Sequence, residues 1–143
     1  MEKDFIPLSG SRELIKLGFK DKTTYVWSKR YSDKYTLRSS EYTRFESVKA
    51  ITWSQAFRFF RKRYQLYTHF VPEFYSTGIN FNWRILWYLP EEEQTDRCVC
   101  TGTCLYGDNG EYPTQEKADW ACLKELIEIA QYMVTNKGKT PKY

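Results

Sequence analysis

Apolar side chains recur at helical intervals in residues 52–64. Five apolar positions in this stretch fall on one face of a helix: Trp53, Ala56, Phe57, Phe60 and Tyr64. Thr52 and Gln55 have the spacing of a capping box, in which each side chain accepts a hydrogen bond from a free N–H group at the helix start. The pattern therefore predicts an amphipathic helix that starts at Thr52.

A second helical pattern occupies residues 114–136. It follows Pro113, and Gly138 stands where a helix commonly ends. Its apolar positions form a broad stripe made of Ala118, Cys122, Leu123, Leu126, Ile127, Ala130 and Met133. The sequence predicts a long helix with this stripe facing the core.

Between the two predicted helices the hydrophobic period changes to two. Residues 79–89 alternate apolar and polar positions, which is typical of a strand with one buried face. Residues 65–71 predict a preceding strand that ends at Pro72, and residues 97–106 predict a third strand. The resulting α-β-β-β-α order predicts an antiparallel sheet with both helices on one face.

The first fifty residues predict smaller elements. Residues 11–19 resemble a short helix closed by Gly18, and residues 24–38 a hairpin that turns near Ser32 and Asp33. The predicted fold class is therefore α+β. We expect a single domain over residues 1–143, with an N-terminal extension at 1–49, the α-β-β-β-α core at 50–137 and a frayed tail at 138–143.

Three of the four cysteines lie within residues 98–104. On one strand, Cys98, Cys100 and Cys104 would share a face, and same-face residues two positions apart lie about 6.6 to 6.8 Å from each other along the strand. Thiolates bound to one zinc ion lie roughly 3.8 Å apart, so an extended strand cannot chelate zinc in this way. A turn at Gly102, with Cys122 as fourth ligand, leaves a metal site open, and a disulfide is a further alternative. Small buried side chains are the favoured interpretation, and we expect no metal and no cofactor.

Charge is distributed unevenly along the chain. Residues 1–70 contain 15 Lys and Arg against 7 Asp and Glu, whereas residues 71–143 contain 7 against 11. The first part could bind an acidic partner, or the two parts could attract each other within one fold. The chain begins without a signal-peptide pattern and has no apolar run near the roughly 20 residues of a membrane helix, so we expect a cytoplasmic protein without membrane contact.

No residue pattern marks a catalytic site. His69 is the only histidine, and no serine or cysteine beside it in sequence has the pattern of a nucleophile. The glutamates at 91–93 fit a solvated loop, residues 108–110 fit a turn better than a calcium loop, and no phosphate-binding glycine motif occurs. We therefore expect that the protein is not an enzyme.

Basic and aromatic residues alternate on the first predicted helix. Arg58 and Lys62 are four residues apart and face away from the apolar stripe, and Phe59 also points away from its centre. The candidate residues for binding a protein partner or a nucleic acid are Arg58, Phe59, Arg61, Lys62 and Arg63. Cations attract phosphates and an exposed ring can stack on a base. The alternative is that Phe59 packs inside the protein and the cations form an ordinary solvated face.

Two family resemblances add to this interpretation. The α-β-β-β-α order over roughly residues 50–136 resembles double-stranded RNA-binding domains. That family has a lysine cluster at the start of its second helix and a histidine between its first two strands, whereas this chain has Lys117 alone and the turn YSTGIN.

The second resemblance is closer. The stretches SRELIKLGF, WSQAFRFFRKRY and LYGDNGEYPTQEKADWACLKELIEIA resemble small uncharacterised proteins of Bacteroidetes genomes and their phages. This resemblance implies a phage or mobile-element setting and transfers no site residues. The sequence thus favours a non-enzymatic accessory protein that acts through protein–protein contact, with nucleic-acid binding as the alternative.

Overall fold

The computed structural model describes residues 1–29, 33–41, 46–76, 78–88, 102–107, 112 and 114–137. The chain forms two compact units, Met1–Ala56 and Phe57–Tyr143. The division falls inside a helix that starts in the first unit and continues into the second. The α+β class predicted from the sequence is confirmed, since both units combine helix with antiparallel sheet.

The first unit contains a short helix and a three-stranded sheet. A 3₁₀ turn at Glu2–Asp4 precedes helix α1 (Leu8–Lys16), and the strands are β1 (Tyr25–Ser28), β2 (Thr36–Ser39) and β3 (Ser47–Ala50). The sheet is antiparallel with the order β2-β1-β3. This confirms the predicted hairpin, whose residues 30–32 lie outside the described part of the chain. Strand β3 was not predicted, because four residues are too few to display a period.

Helix α1 ends as the sequence predicts. Gly18 has a φ of +107°, a backbone conformation that glycine adopts without strain. The Phe19 N–H donates to the Leu14 carbonyl at 2.9 Å, and the Gly18 N–H donates to the Ile15 carbonyl at 3.1 Å. These two bonds form a Schellman motif. The predicted start at Ser11 is wrong. The helix begins at Leu8, and Ser11 lies buried inside it.

The second unit carries the predicted α-β-β-β-α order. Its elements are α2 (Trp53–Tyr64, whose first turn belongs to the first unit), β4 (Leu66–Tyr75), β5 (Gly78–Tyr88), β6 (Gly102–Gly107) and α3 (Gln115–Thr135). The strands form an antiparallel sheet in the order β4-β5-β6. Helix α3 lies against β5, and the Phe57 ring of α2 meets the Phe70 ring of β4 at 5.6 Å.

Both long helices have side-chain caps at their starts, and the capping box of α2 is the one that its sequence predicts. The Thr52 N–H donates to Gln55 Oε1 at 3.1 Å, and the Gln55 N–H donates to Thr52 Oγ1 at 3.2 Å. Thr114 accepts a hydrogen bond from the Lys117 N–H at 3.2 Å, at the start of α3. All seven residues of the predicted α3 stripe are buried, and Ile129 joins them. Gly138, the predicted stop, lies outside the described residues.

Strand β4 extends beyond its predicted end. It runs through Pro72 to Tyr75 and pairs with β5 along its whole length. Proline is tolerated because β4 borders β5 alone among the described strands, so its second edge needs no N–H donor at Pro72. The prediction that this strand ends at Pro72 is therefore wrong.

Strand β6 contains an irregularity that the sequence did not indicate. Ile85 pairs with Tyr106, but the next residue, Leu86, pairs with Cys104, which leaves Leu105 as an extra residue in a bulge. Residues 97–101 of the predicted strand lie outside the described part of the chain, as do Cys98 and Cys100. Their predicted common face with Cys104 stays a prediction.

Candidate binding surfaces

Three cations of α2 share one side of the helix. Arg58, Arg61 and Lys62 occupy positions i, i+3 and i+4, which neighbour each other on a helix surface, and all three are exposed. No acidic residue occurs anywhere in α2. We call these three residues the basic face of α2.

The other two candidate residues of α2 lie elsewhere. At 100° per residue, Arg63 is on the far side of the helix from Arg61, and Phe59 falls between Lys62 and Arg63. Phe59 is half-buried, with its ring edge-to-face against Phe60 at 5.3 Å and against Tyr64 at 5.8 Å. The ring is therefore engaged by the helix's own aromatic residues, which leaves less of its face for a nucleobase.

Arg63 lies beside Tyr64 at the end of α2. Burial raises the pKa of Tyr64, and the charge and hydrogen bonding of Arg63 partly oppose that rise. Arg63 therefore interacts with Tyr64 of its own helix. The last turn of α2 contains three cations, which also interact favourably with the negative end of the helix dipole. Part of the positive charge of α2 therefore stabilises the helix itself.

The apolar face of the β4–β5 hairpin continues past the buried core. Phe70 pairs with Trp83, Pro72 with Phe81, and Phe74 with Ile79, so these residues share one face of the sheet. Exposure increases along this row: Trp83 is 2% exposed, Phe81 is half-buried, Ile79 is 45% exposed and Phe74 is 76% exposed. We call Pro72, Phe74 and Ile79 the hairpin end.

The hairpin end was missed by reasoning from sequence. The alternation of residues 79–89 predicts that Ile79 is as buried as Trp83 and Ile85, and this holds only for the latter two. Alternation identifies the face on which a residue lies, but it does not show how far along a strand the opposing layer extends. The sequence signal for this exposed pair was two apolar residues, Phe74 and Ile79, on either side of the predicted turn YSTG.

The opposite face of this hairpin carries His69. His69 pairs with Arg84 across the strands, and both side chains are exposed. Their side chains lie on the face opposite to Trp83 and Ile85, because neighbouring strand residues alternate in direction. This position exposes His69 to solvent.

Cys122 is the cysteine whose side chain can be described. It is buried and unbonded, and burial raises its pKa, with nearby Asp119 and Glu125 raising it further. The thiol therefore stays protonated, whereas metal binding and nucleophilic attack both use the thiolate. Within the described residues, no group of three or more His, Cys, Asp or Glu side chains is arranged to hold a metal ion.

No protein-family model, curated protein or solved structure matches this chain. None of the helices in the described ranges has the length and apolar character needed to cross a membrane.

Proposed function

We propose that this chain is a non-enzymatic accessory protein that binds a partner protein through the hairpin end, with the basic face of α2 contributing charge. The observation that carries the proposal is Phe74, a large aromatic side chain that is 76% exposed and lies directly across from the exposed Ile79. Single exposed apolar residues are common on protein surfaces. Two paired apolar side chains that extend a buried face into solvent are less common.

The chemistry of the two surfaces fits a protein partner. Protein interfaces combine a buried apolar and aromatic centre with a polar rim, and Phe74 with Ile79 would supply such a centre. The basic face of α2 belongs to the same unit and favours a partner with acidic residues in its rim. The charged phosphate backbone of a nucleic acid would gain nothing by contact with an apolar centre of this kind.

Serine substitutions at the hairpin end test this proposal. Phe74→Ser and Ile79→Ser should each abolish capture of the partner from a lysate of the source organism, measured by quantitative mass spectrometry against wild-type bait. Both side chains are largely exposed but pair across the strands, so each substitution should lower the free energy of unfolding by no more than about 1 kcal/mol.

Val134→Ser is the matched control, because Val134 is a 63% exposed apolar residue on α3. It should leave capture unchanged. Equal capture by wild type and Phe74→Ser would reject the proposal, and so would an equal loss with Val134→Ser.

Nucleic-acid binding is the second candidate, favoured by the grouping of Arg58, Arg61 and Lys62 on one side of α2. The double variant Arg58→Glu with Lys62→Glu should then weaken binding in a gel-shift assay. The logarithm of affinity should fall with the logarithm of salt concentration at a slope of about −0.9 per phosphate contacted on a duplex. Phe74→Ser should not affect this binding, which separates the two candidates.

The control for the nucleic-acid candidate makes the same change of charge on α3. Lys117 and Lys124 are exposed there. Lys117→Glu with Lys124→Glu should leave the gel shift unchanged. Affinity that is insensitive to salt, or that weakens equally in both double variants, would argue against the basic face of α2.

We also propose a bacterial cytoplasmic setting linked to phages or mobile elements. The proposal rests on the resemblance described above, which is carried by three stretches distributed between residues 11 and 130. Expression of the gene on prophage induction in its host, measured by transcript sequencing, should rise with the neighbouring phage genes. Unchanged transcript levels would contradict this setting.

A further inference from the structure

The first unit contains a surface cavity of about 370 Å³ that none of the functions above uses. The described residues that line it are Lys22, Thr23, Val26, Ser40, Ser47 and Lys49. We infer that this cavity binds a small ligand carrying a phosphate group. Its volume lies within the range of roughly 300 to 1,000 Å³ that is usual for small-molecule sites.

The sheet of the first unit builds this cavity from one face. Val26 on the central strand β1 pairs with Lys49 of β3, and Ser47 lies two residues from Lys49 on the same face. On the other side, the Ser40 N–H donates to the Thr24 carbonyl at 2.9 Å, which places Ser40 beside the start of β1. Val26 therefore forms an apolar floor with hydroxyl groups on both sides.

Lys49 brings a positive charge that is held in place. Its Nζ donates to the carbonyl oxygens of Asp21 at 2.8 Å and Lys20 at 3.1 Å, and it lies 5.8 Å from the centre of the Phe19 ring. An ammonium group has three donors, so two carbonyls leave one N–H for a ligand. Since these contacts fix the ammonium before binding, little side-chain entropy is lost when an anion arrives.

Lys22 supplies the second cation. Its carbonyl accepts a hydrogen bond from Gln55 Nε2 at 3.1 Å, which fixes the backbone on this side of the cavity while the side chain is exposed. No acidic residue is among the described residues that line the cavity. Lys22 and Lys49 thus give the described lining of the cavity two cations and no acid.

The donors of the cavity suit a phosphate group in particular. A phosphate monoester has three terminal oxygens and up to two negative charges, which match two ammonium groups and the hydroxyls of Thr23, Ser40 and Ser47. A carboxylate has two oxygens and a single charge, and would leave several of these donors unused. The cavity exceeds the size of a phosphate, and the Val26 floor offers an apolar surface for the organic part of the ligand.

Titration with three probes tests this inference. Inorganic phosphate, phenyl phosphate and phenol are added to the full chain while amide resonances are followed by NMR. Phenyl phosphate should shift the amides of Thr23, Ser40 and Ser47 saturably and bind more tightly than inorganic phosphate. Phenol should not bind. Shifts that spread over every lysine of the chain, or phenol binding as tightly as phenyl phosphate, would overturn the inference.

Variants then localise the site. Lys22→Gln should weaken phenyl phosphate binding by about tenfold, since it removes a charge-assisted hydrogen bond. Ser47→Val removes one hydroxyl but suits a strand, and should weaken binding by about threefold. Lys20→Gln is the matched control, because Lys20 is an exposed lysine two residues from Lys22 whose side chain does not line the cavity.

Lys20→Gln should bind as wild type does, and a loss equal to that of Lys22→Gln would show unspecific attraction and overturn the site. The double variant Arg58→Glu with Lys62→Glu should also bind phenyl phosphate as wild type does. That result separates the cavity from the basic face of α2, so that either proposal can fail without the other.

Discussion

Gln65 joins α2 to β4 in a backbone conformation that side chains rarely adopt. Its φ is +57°, in the left-handed region, and β4 begins at the next residue. For residues other than glycine this conformation costs roughly 1 to 2 kcal/mol. The helix therefore ends here because a single left-handed residue redirects the chain into the sheet.

Substitutions at Gln65 should separate conformational strain from side-chain loss. Gln65→Val should lower the free energy of unfolding by about 1 to 2 kcal/mol, because a β-branched residue fits the left-handed region poorly. Gln65→Gly should change it by less than about 0.5 kcal/mol, since relief of strain is offset by greater freedom of the unfolded chain. Urea denaturation measures both. Equal destabilisation by Gly and Val would contradict a left-handed Gln65.

Asp119 is a half-buried carboxylate on α3. Burial raises its pKa, the hydrogen bond from Gln115 Nε2 at 2.8 Å partly lowers it, and the charge of Glu116 raises it. A pKa above the unfolded value of 3.8 means that the neutral form is favoured in the folded state. Protonated Asp119 therefore contributes fully to the free energy of unfolding below pH 3.8. This contribution is lost as pH rises through the pKa that Asp119 has in the folded state.

Asp119→Asn should accordingly stabilise the protein at neutral pH. The amide oxygen keeps the bond from Gln115, and the cost of a half-buried charge disappears. We expect a gain below about 1 kcal/mol at pH 7 and none near pH 3, measured by urea denaturation at both values. Glu128→Gln is the control: Glu128 is an exposed acid on α3 and is not among the groups that raise the pKa of Asp119, so its removal should not stabilise. A gain at low pH would contradict the assigned cause.

The helices depend on caps that operate within one turn. In α2, Thr52 and Gln55 exchange hydrogen bonds, and Gln55 also donates to the Lys22 carbonyl at 3.1 Å. Gln55 therefore links the start of α2 to the loop that precedes β1. The Gln55 side chain thus stabilises both the helix start and a loop that is distant in sequence.

Removal of the cap should destabilise α2 measurably. Thr52→Ala deletes the oxygen that accepts from the Gln55 N–H and should lower the free energy of unfolding by about 1 kcal/mol. Ser54→Ala is the control, because Ser54 is exposed in the same turn and alanine favours helix. Ser54→Ala should be neutral or slightly stabilising. Thermal denaturation followed by circular dichroism measures both, and equal losses would contradict the capping box.

Helix α2 spans the division between the two compact units. Its residues up to Ala56 belong to the first unit and those from Phe57 to the second. Neither part is long enough to persist as an isolated helix in water, because helices below about 12 residues are marginal there. The prediction of a single domain over residues 1–143 can be tested on this basis.

We expect the whole chain to unfold in one transition. Loss of either unit would remove support from the part of α2 that belongs to the other. Tryptophans occur in both units, with Trp27 in the first and Trp83 in the second, so fluorescence and far-UV circular dichroism should give coincident urea curves. Trp27→Phe with Trp53→Phe leaves tryptophan fluorescence only in the second unit, and Trp83→Phe with Trp87→Phe and Trp120→Phe leaves it only in the first. A fluorescence midpoint that differs from the circular-dichroism midpoint within either variant would show that the units unfold independently.

The sequence alone determined the features that depend on neighbouring residues. Thr52, Gln55 and Gly18 cap their helices as predicted, because capping depends on residues within about one turn. The α3 stripe and the burial of Trp83 and Ile85 follow from the period of each element.

Only the tertiary structure decided the rest. The exposure of Phe74, the bulge at Leu105 and the strand pairing of Pro72 depend on where other elements end, and local periodicity does not encode this. The phosphate cavity was missed for the same reason, since β-pairing assembles Lys22, Ser40 and Lys49 from three separate stretches of chain. Local chemistry fixes the elements, and long-range pairing fixes which side chains meet.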